Sequence, residues 1–218
     1  MEYHNLGRPF PEGLMADVVE NPFDVALCPI TTDINQHRLI KQEKDLVLQV
    51  RHNRREELMI WTHLRQVVVH ERLVADLEKV GISGFRLRPA TVCFRDGKVT
   101  SDYSQLVVIG WAGLASPESG IHLVEVCAGC GMRKYSGVDR HDKLIDWEKW
   151  SGDDLFIVWP LPGFILISSR GAEVLRSLRV KSYHLASMRI PIKGPCVGPL
   201  SYYVPVDAAE KYGKLEGL

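Results

Sequence analysis

The sequence predicts an α+β protein with a mixed or antiparallel sheet, and three observations carry that prediction. Short apolar runs rich in strand formers recur along the 218 residues, two other stretches space their apolar side chains as a helix does, and the order strand, helix, strand occurs twice. An amphipathic helix must bury its apolar stripe, and a sheet face is the surface these flanking strands supply. The chain, 1–218, reads as one compact domain with candidate lobes at 37–112 and 121–206 and a segment, 1–36, that wraps them.

Taken in order, residues 1–36 carry Pro9, Pro11, Pro22 and Pro29 with Gly7 and Gly13, which disfavours long helices and long ladder-bonded strands. In 37–57 the charged flanks KQEK and RREE favour helix, whereas Leu46-Val-Leu-Gln-Val50 favours strand; the extended reading of 45–50 is preferred. Gln66-Val-Val-Val-His70 reads as a short buried strand. It leads into a helix over 71–80, with Leu73, Val74, Leu77 and Val80 on one face, Arg72, Asp76 and Lys79 on the other, and Gly81 as the stop. Residues 84–94 alternate Phe85 and Leu87 with Arg86 and Arg88 as a half-buried strand does, and Asp96-Gly97 supplies a turn. Further strands fall at 103–111 and 121–126, separated by a loop at 113–120 containing Pro117.

The second half repeats the order. Phe164-Ile-Leu-Ile167 is a short apolar run, 168–178 places Ala172, Val174, Leu175 and Leu178 at helical intervals, and 183–188 closes as a strand. Sliding Trp61 onto Trp159, a shift of 98 positions, also sets Arg72 on Arg170, Leu77 on Leu175, Ile82 on Val180, Phe85 on Tyr183 and Leu87 on Leu185. A degenerate internal repeat of the strand-helix-strand unit explains that register; the other reading is two unrelated amphipathic helices with generic patterning. Residues 191–206, with Pro191, Pro195, Pro199 and Pro205, predict irregular surface chain, and the final DAAEKYGKLEGL predicts a short, fraying helix.

Composition narrows the function. Lys and Arg total 27 against 27 Asp and Glu, so there is no global cationic surface for nucleic-acid phosphates or lipid headgroups, and of the two basic clusters, Arg51 to Arg55 and Arg86 to Arg88, Glu56 and Glu57 offset the first. No window approaches the roughly 18 apolar residues of a spanning helix, and the N-terminus lacks a signal-peptide pattern. Five cysteines, two of them as Cys127-Ala-Gly-Cys130, fit a reducing cytoplasm better than a disulfide framework. The expectation is a cytoplasmic protein with neither nucleic acid nor membrane as partner.

Cys127-Ala-Gly-Cys130-Gly131 is the sharpest local motif, because two intervening residues let both thiolates converge on one ion. It is half of a structural zinc site. Cys28 with one of His37, His52, His122 or His141 would complete four ligands; the competing reading is a turn with two reduced cysteines and no cofactor. Cys93 and Cys196 stand isolated. A redox role would need Cys127 at a helix N-terminus, but Gly131 and strand-like 132–135 follow it. There is no glycine-rich phosphate loop, no nucleophile elbow, and His63 and His70 are seven apart where a zinc-protease helix needs four, so the chain is not read as an enzyme. The stretch Trp147 to Phe156 gathers aromatics and carboxylates. It is either a turn with hydrophobic anchors or a contact surface, with Trp147, Trp150, Asp153 and Asp154 as the partner-binding candidates.

The order of Cys28-Pro, VVVHERLVADLEKVGISGFRLRPATV, CAGCG, GDDLF and FILISSRGAEVLRSLRVKSYHL resembles the double-CXXCG motif family expanded in myxobacteria. The likeness runs from about Cys28 to Met188. The second motif matches at Cys127, Cys130 and Gly131, while Thr31 and Thr32 stand where the first motif has its second cysteine and glycine. Some members of that group are immunity proteins against Sit-type toxins. The resemblance therefore implies an immunity protein that neutralises a cognate protein toxin by binding, with Cys127, Cys130 and Cys28 as the place for zinc. The alternative is a zinc-ribbon-like metal-binding protein or a hydrolase accessory.

Overall fold

The computed structural model of the chain describes residues 2–8, 15–30, 38–63, 65–130, 133–161, 163–188 and 200–202. The first strands are β1 (Tyr3–Gly7), β2 (Met15–Val18), β3 (Phe23–Leu27), β4 (Arg38–Gln42) and β5 (Leu46–Gln49). Next come β6 (Met59–Thr62), β7 (Val67–His70), helix α1 (Glu71–Lys79), β8 (Phe85–Cys93), β9 (Val99–Val108) and β10 (Gly110–Leu114). They are followed by β11 (Leu123–Val126), β12 (Arg133–Tyr135), β13 (Leu155–Trp159), β14 (Ile165–Ser168), helix α2 (Ser169–Ser177), β15 (His184–Ser187) and β16 (Leu200–Tyr202). The α+β class with mixed and antiparallel sheets is the one the sequence predicts. Neither described helix is long and apolar enough to cross a membrane.

Six strands close into a barrel in the order β2, β5, β8, β9, β7, β6, with parallel contacts at β2–β6 and β5–β8 and antiparallel ones elsewhere. A second sheet runs β10, β13, β14, β1, β15. Strand periodicity explains how these layers share their side chains. Val68 and Ile60 enter the barrel core with Leu46, Leu48, Ala90, Val92 and Phe94. Their neighbours Val67, Val69, Met59 and Trp61 point the other way, into a cluster shared with Leu155, Ile157 and Trp159 of β13. Phe156 and Val158 of β13 fill a third cluster on the far face with Tyr3, Leu144 and Leu166. A strand buried on both faces needs apolar residues at every position, hence the unbroken MIW, VVV and LFIVW.

Both helices cover the shared cluster, through Leu73 and Leu77 of α1 and Ala172 and Leu175 of α2. The 98-residue shift carries β7 onto β14 and α1 onto α2. It also carries over the helix ends: the N–H groups of Val80, Gly81 and Ile82 donate to Asp76, Glu78 and Leu77, and those of Leu178, Arg179 and Val180 donate to Val174, Arg176 and Leu175. Gly81 (φ 69°) and Arg179 (φ 54°) occupy the same left-handed position. The settings differ, since β7 belongs to the closed barrel and β14 to the open sheet, and an internal repeat is not shown by this match of elements.

The N-terminus differs from the expected wrapping segment. β1 is an interior strand, antiparallel to β14 on one side and β15 on the other, with Tyr3 and Leu6 buried. The reason is that 3–7 contain no proline, so every N–H remains for the ladder. In the same way 200–202, inside the stretch expected to be irregular, pair with β12. The expected terminal helix lies outside the described residues. β1 and β10 join the second sheet and β2 joins the barrel.

Glycine is required where three backbones meet. A Cβ on Gly84 would lie 1.9 Å from the Leu155 carbonyl oxygen and one on Gly110 would lie 2.1 Å from it. That approach lets Ser83 accept from the Leu155 N–H and Gly84 accept from those of Ile109 and Gly110, joining barrel and sheet.

Candidate metal centre

Two antiparallel hairpins bring three cysteines together. In β3–β4 the last paired residue of the first strand is Leu27 and Cys28 follows it; in β11–β12 the last is Val126 and Cys127 follows it. Each cysteine therefore opens the loop at the end of a rigid two-stranded ladder. Cys130 follows three positions after Cys127. The Sγ atoms of Cys28, Cys127 and Cys130 all lie within 4.8 Å of one another, and those of Cys28 and Cys127 are 3.9 Å apart. These three cysteines can hold a metal ion.

The local backbone prepares the site for anionic sulfur. N–H groups of Cys130 and Gly129 donate to the Cys127 Sγ, and the Cys130 and Cys28 thiols add to them against the opposing effect of burial, so the Cys127 thiol is pulled down to about 6. Cys28 and Cys127 are 7% and 8% exposed, and Cys130 is half-buried. Gly129 keeps the loops close: a Cβ there would lie 2.5 Å from Cγ1 of Ile30, two residues beyond Cys28.

Of the ligands considered from sequence, Cys28, Cys127 and Cys130 converge. Among the described residues no histidine or carboxylate joins them. His52 accepts from the Arg54 N–H, His122 contacts the Gly120 carbonyl, and His141 is buried at a 3-10 turn whose carbonyl accepts from the Tyr3 hydroxyl. Cys93 is on β8, away from the group, and His37 and Cys196 lie outside the described residues.

Of the four partner-binding candidates, Asp154 is buried. Asp154 is 5% exposed and accepts from Ser168 Oγ (2.7 Å), the Ser83 N–H (3.2 Å), and both Nε and a terminal nitrogen of Arg170. Burial raises its carboxyl, but these bonds outweigh that and hold it below the ordinary value. Its role is internal. Asp153 accepts from Ser151, whose hydroxyl in turn accepts from the Trp111 N–H. Trp147 is half-buried, edge-on to both Tyr3 and Trp150, and Trp150 leans on Phe156.

Exposed apolar side chains on both faces of β11 escaped the sequence reading. Ile30 is 67% exposed, and Leu123, Val124 and Val126 of β11, the strand that carries Cys127, are each about half exposed or more. The signal was ambiguous, because Leu-Val-Glu-Val is also what a half-buried strand looks like. No protein-family model matches the chain, and no curated protein matches it in sequence.

Proposed function

We propose that this chain is a zinc-binding protein in which Cys28, Cys127 and Cys130 hold the ion and join two hairpins into a zinc-ribbon-like module. The observation that carries the reading is the convergence of three thiols from positions 28, 127 and 130 on one point. With Zn–S bonds of about 2.3 Å, two thiolates of a tetrahedral site sit about 3.8 Å apart. The 3.9 Å between Cys28 and Cys127 fits that spacing. An ion here would serve folding more than chemistry, tying the N-terminal hairpin to the hairpin that leads into β12 and β16. The test is metal analysis of the full chain purified without added metal and dialysed. One zinc per chain, lost in Cys127→Ser and in Cys28→Ser while the barrel's circular dichroism persists, supports the reading; wild-type protein that binds no zinc on titration overturns it.

Exposed apolar side chains close to the cysteines in the chain, Ile30 two residues past Cys28 and Val126 directly before Cys127, favour a role in protein binding. On that basis, and with the motif resemblance, the module belongs to a cytoplasmic immunity protein that blocks a toxin by covering it, which requires no catalytic group. Trp147, Trp150 and Asp153 are the second candidate face. Rescue of cells on co-expression with the toxin encoded by a neighbouring gene supports this; absence of such a gene, with no rescue by the chain, overturns it.

A further inference from the structure

We infer that Cys28 and Cys127 are an oxidation site, at which a peroxide converts the pair into a disulfide that ties the β3–β4 hairpin to the β11–β12 hairpin. The two sulfurs lie 3.9 Å apart although the residues are 99 positions apart in the chain, and both cysteines are free. A disulfide needs about 2.05 Å, so a gap of roughly 2 Å has to close. Each cysteine sits one residue beyond the last paired residue of its strand, Leu27 or Val126, so side-chain rotation and the loop backbone can close it without breaking a strand pair. The sulfur contact carries this inference with or without a bound ion.

Burial selects this pair among the three sulfurs. Cys28 and Cys127 are both buried, whereas Cys130 is half-buried. A disulfide between buried cysteines is shielded from reducing thiols, and exposed ones are the labile ones. The step is a two-electron oxidation. One sulfur attacks a peroxide oxygen, the O–O bond breaks and hydroxide leaves, which makes a sulfenic acid; the second sulfur attacks the first, the S–O bond breaks and another hydroxide leaves. The two thiol protons turn both hydroxides into water, so each sulfur gives up one electron and the peroxide gains two. A dithiol catalyst would need a helix N-terminus at Cys127, but here each sulfur reacts once and proximity suffices. Where zinc occupies the three cysteines, the disulfide removes two of its donors and the ion leaves.

Peptide mapping provides the test. Full-length wild-type protein and Cys130→Ser are reduced, freed of reductant, treated with hydrogen peroxide, alkylated with iodoacetamide and digested with trypsin. Trypsin leaves Cys28 in the peptide 1–38 and Cys127 with Cys130 in the peptide 99–133. The expected result, in chains that remain monomeric, is that most of 1–38 is joined to 99–133, that wild type carries its alkyl group on Cys130, that Cys130→Ser is joined to the same extent, and that dithiothreitol reverses the link. A Cys127–Cys130 bond within 99–133, a link through Cys93 or Cys196, a link only between two chains, or sulfinic acid without a link overturns the inference, and so does a Cys130→Ser variant that stays unlinked. In zinc-loaded protein the ion should be freed one for one with the link, and zinc retained by linked chains would refute its release. A link formed in protein that binds no zinc upholds the oxidation site and sinks only the zinc reading.

Discussion

Replacing Asp154 by alanine tests how the two strand-helix units are joined. The carboxylate is almost fully buried between them: Ser83 follows α1, Ser168 caps α2, and Arg170 lies in the first turn of α2. Arg170 also donates to the carbonyls of Val80 (3.0 Å) and Gly81 (2.7 Å), so it closes the C-terminal end of α1 while holding Asp154. The bonds from Ser83 and Ser168 to a buried charge contribute about 1.5 kcal/mol each at the low end of their range. The Arg170 side chain is 55% exposed and regains water when freed, so its pairing adds at most about 1 kcal/mol. Asp154→Ala should therefore cost about 3–4 kcal/mol, and Asp154→Asn, which keeps the shape and one acceptor, about half as much. In urea, with a slope of about 2 kcal/mol/M, the alanine variant's midpoint should fall by about 1.5–2 M at unchanged slope. Because the folded carboxyl sits below its ordinary 3.8, the stability it supplies is complete above that pH and is lost as the pH falls through the folded value. Asparagine should abolish that acid-sensitive part. If both variants unfold within about 0.5 kcal/mol of wild type, the bonds around Asp154 do not join the units.

Gly110→Ala should destabilise by about 3 kcal/mol, because its Cβ meets a backbone oxygen that cannot yield, whereas Gly97→Ala, with nothing within 4 Å, should cost about 1 kcal/mol for its positive φ alone; comparing their urea midpoints separates clash from backbone strain. His70 caps α1 by accepting from the Arg72 N–H on Nδ1, so it must be neutral there, and burial lowers its proton affinity below the ordinary 6.5. Its contribution is complete above pH 6.5 and falls away as acid approaches the folded value; His70→Asn should keep the cap and flatten stability between pH 7 and 5, and an unchanged slope would refute the role. Arg179→Gly should raise stability by about 0.5–1 kcal/mol by relieving the left-handed strain that Gly81 avoids in the first unit, and a drop in thermal midpoint would contradict this.

Local signals in the sequence were enough for α1 and α2, because a helix is specified by neighbours three and four apart and by its caps. The Cys127–Cys130 pair was legible for the same reason. Asp154 was not: next to Asp153 in a charged turn it looks like a surface anchor, and nothing nearby in the chain announces that Ser83 and Arg170 will enclose it. β1 was hidden by the prolines around it, whose effect stops at their own N–H positions.

What the sequence by itself determined is the α+β class, both helices with their buried faces, and the half-site of two thiols. Only the tertiary structure decided that six strands close into a barrel, that β1 enters the second sheet, and that Cys28 reaches Cys127, 99 positions further along the chain. Those outcomes depend on which distant strands pair. Each strand carries an apolar face that would satisfy several partners, and the choice is made by the packing of the whole core.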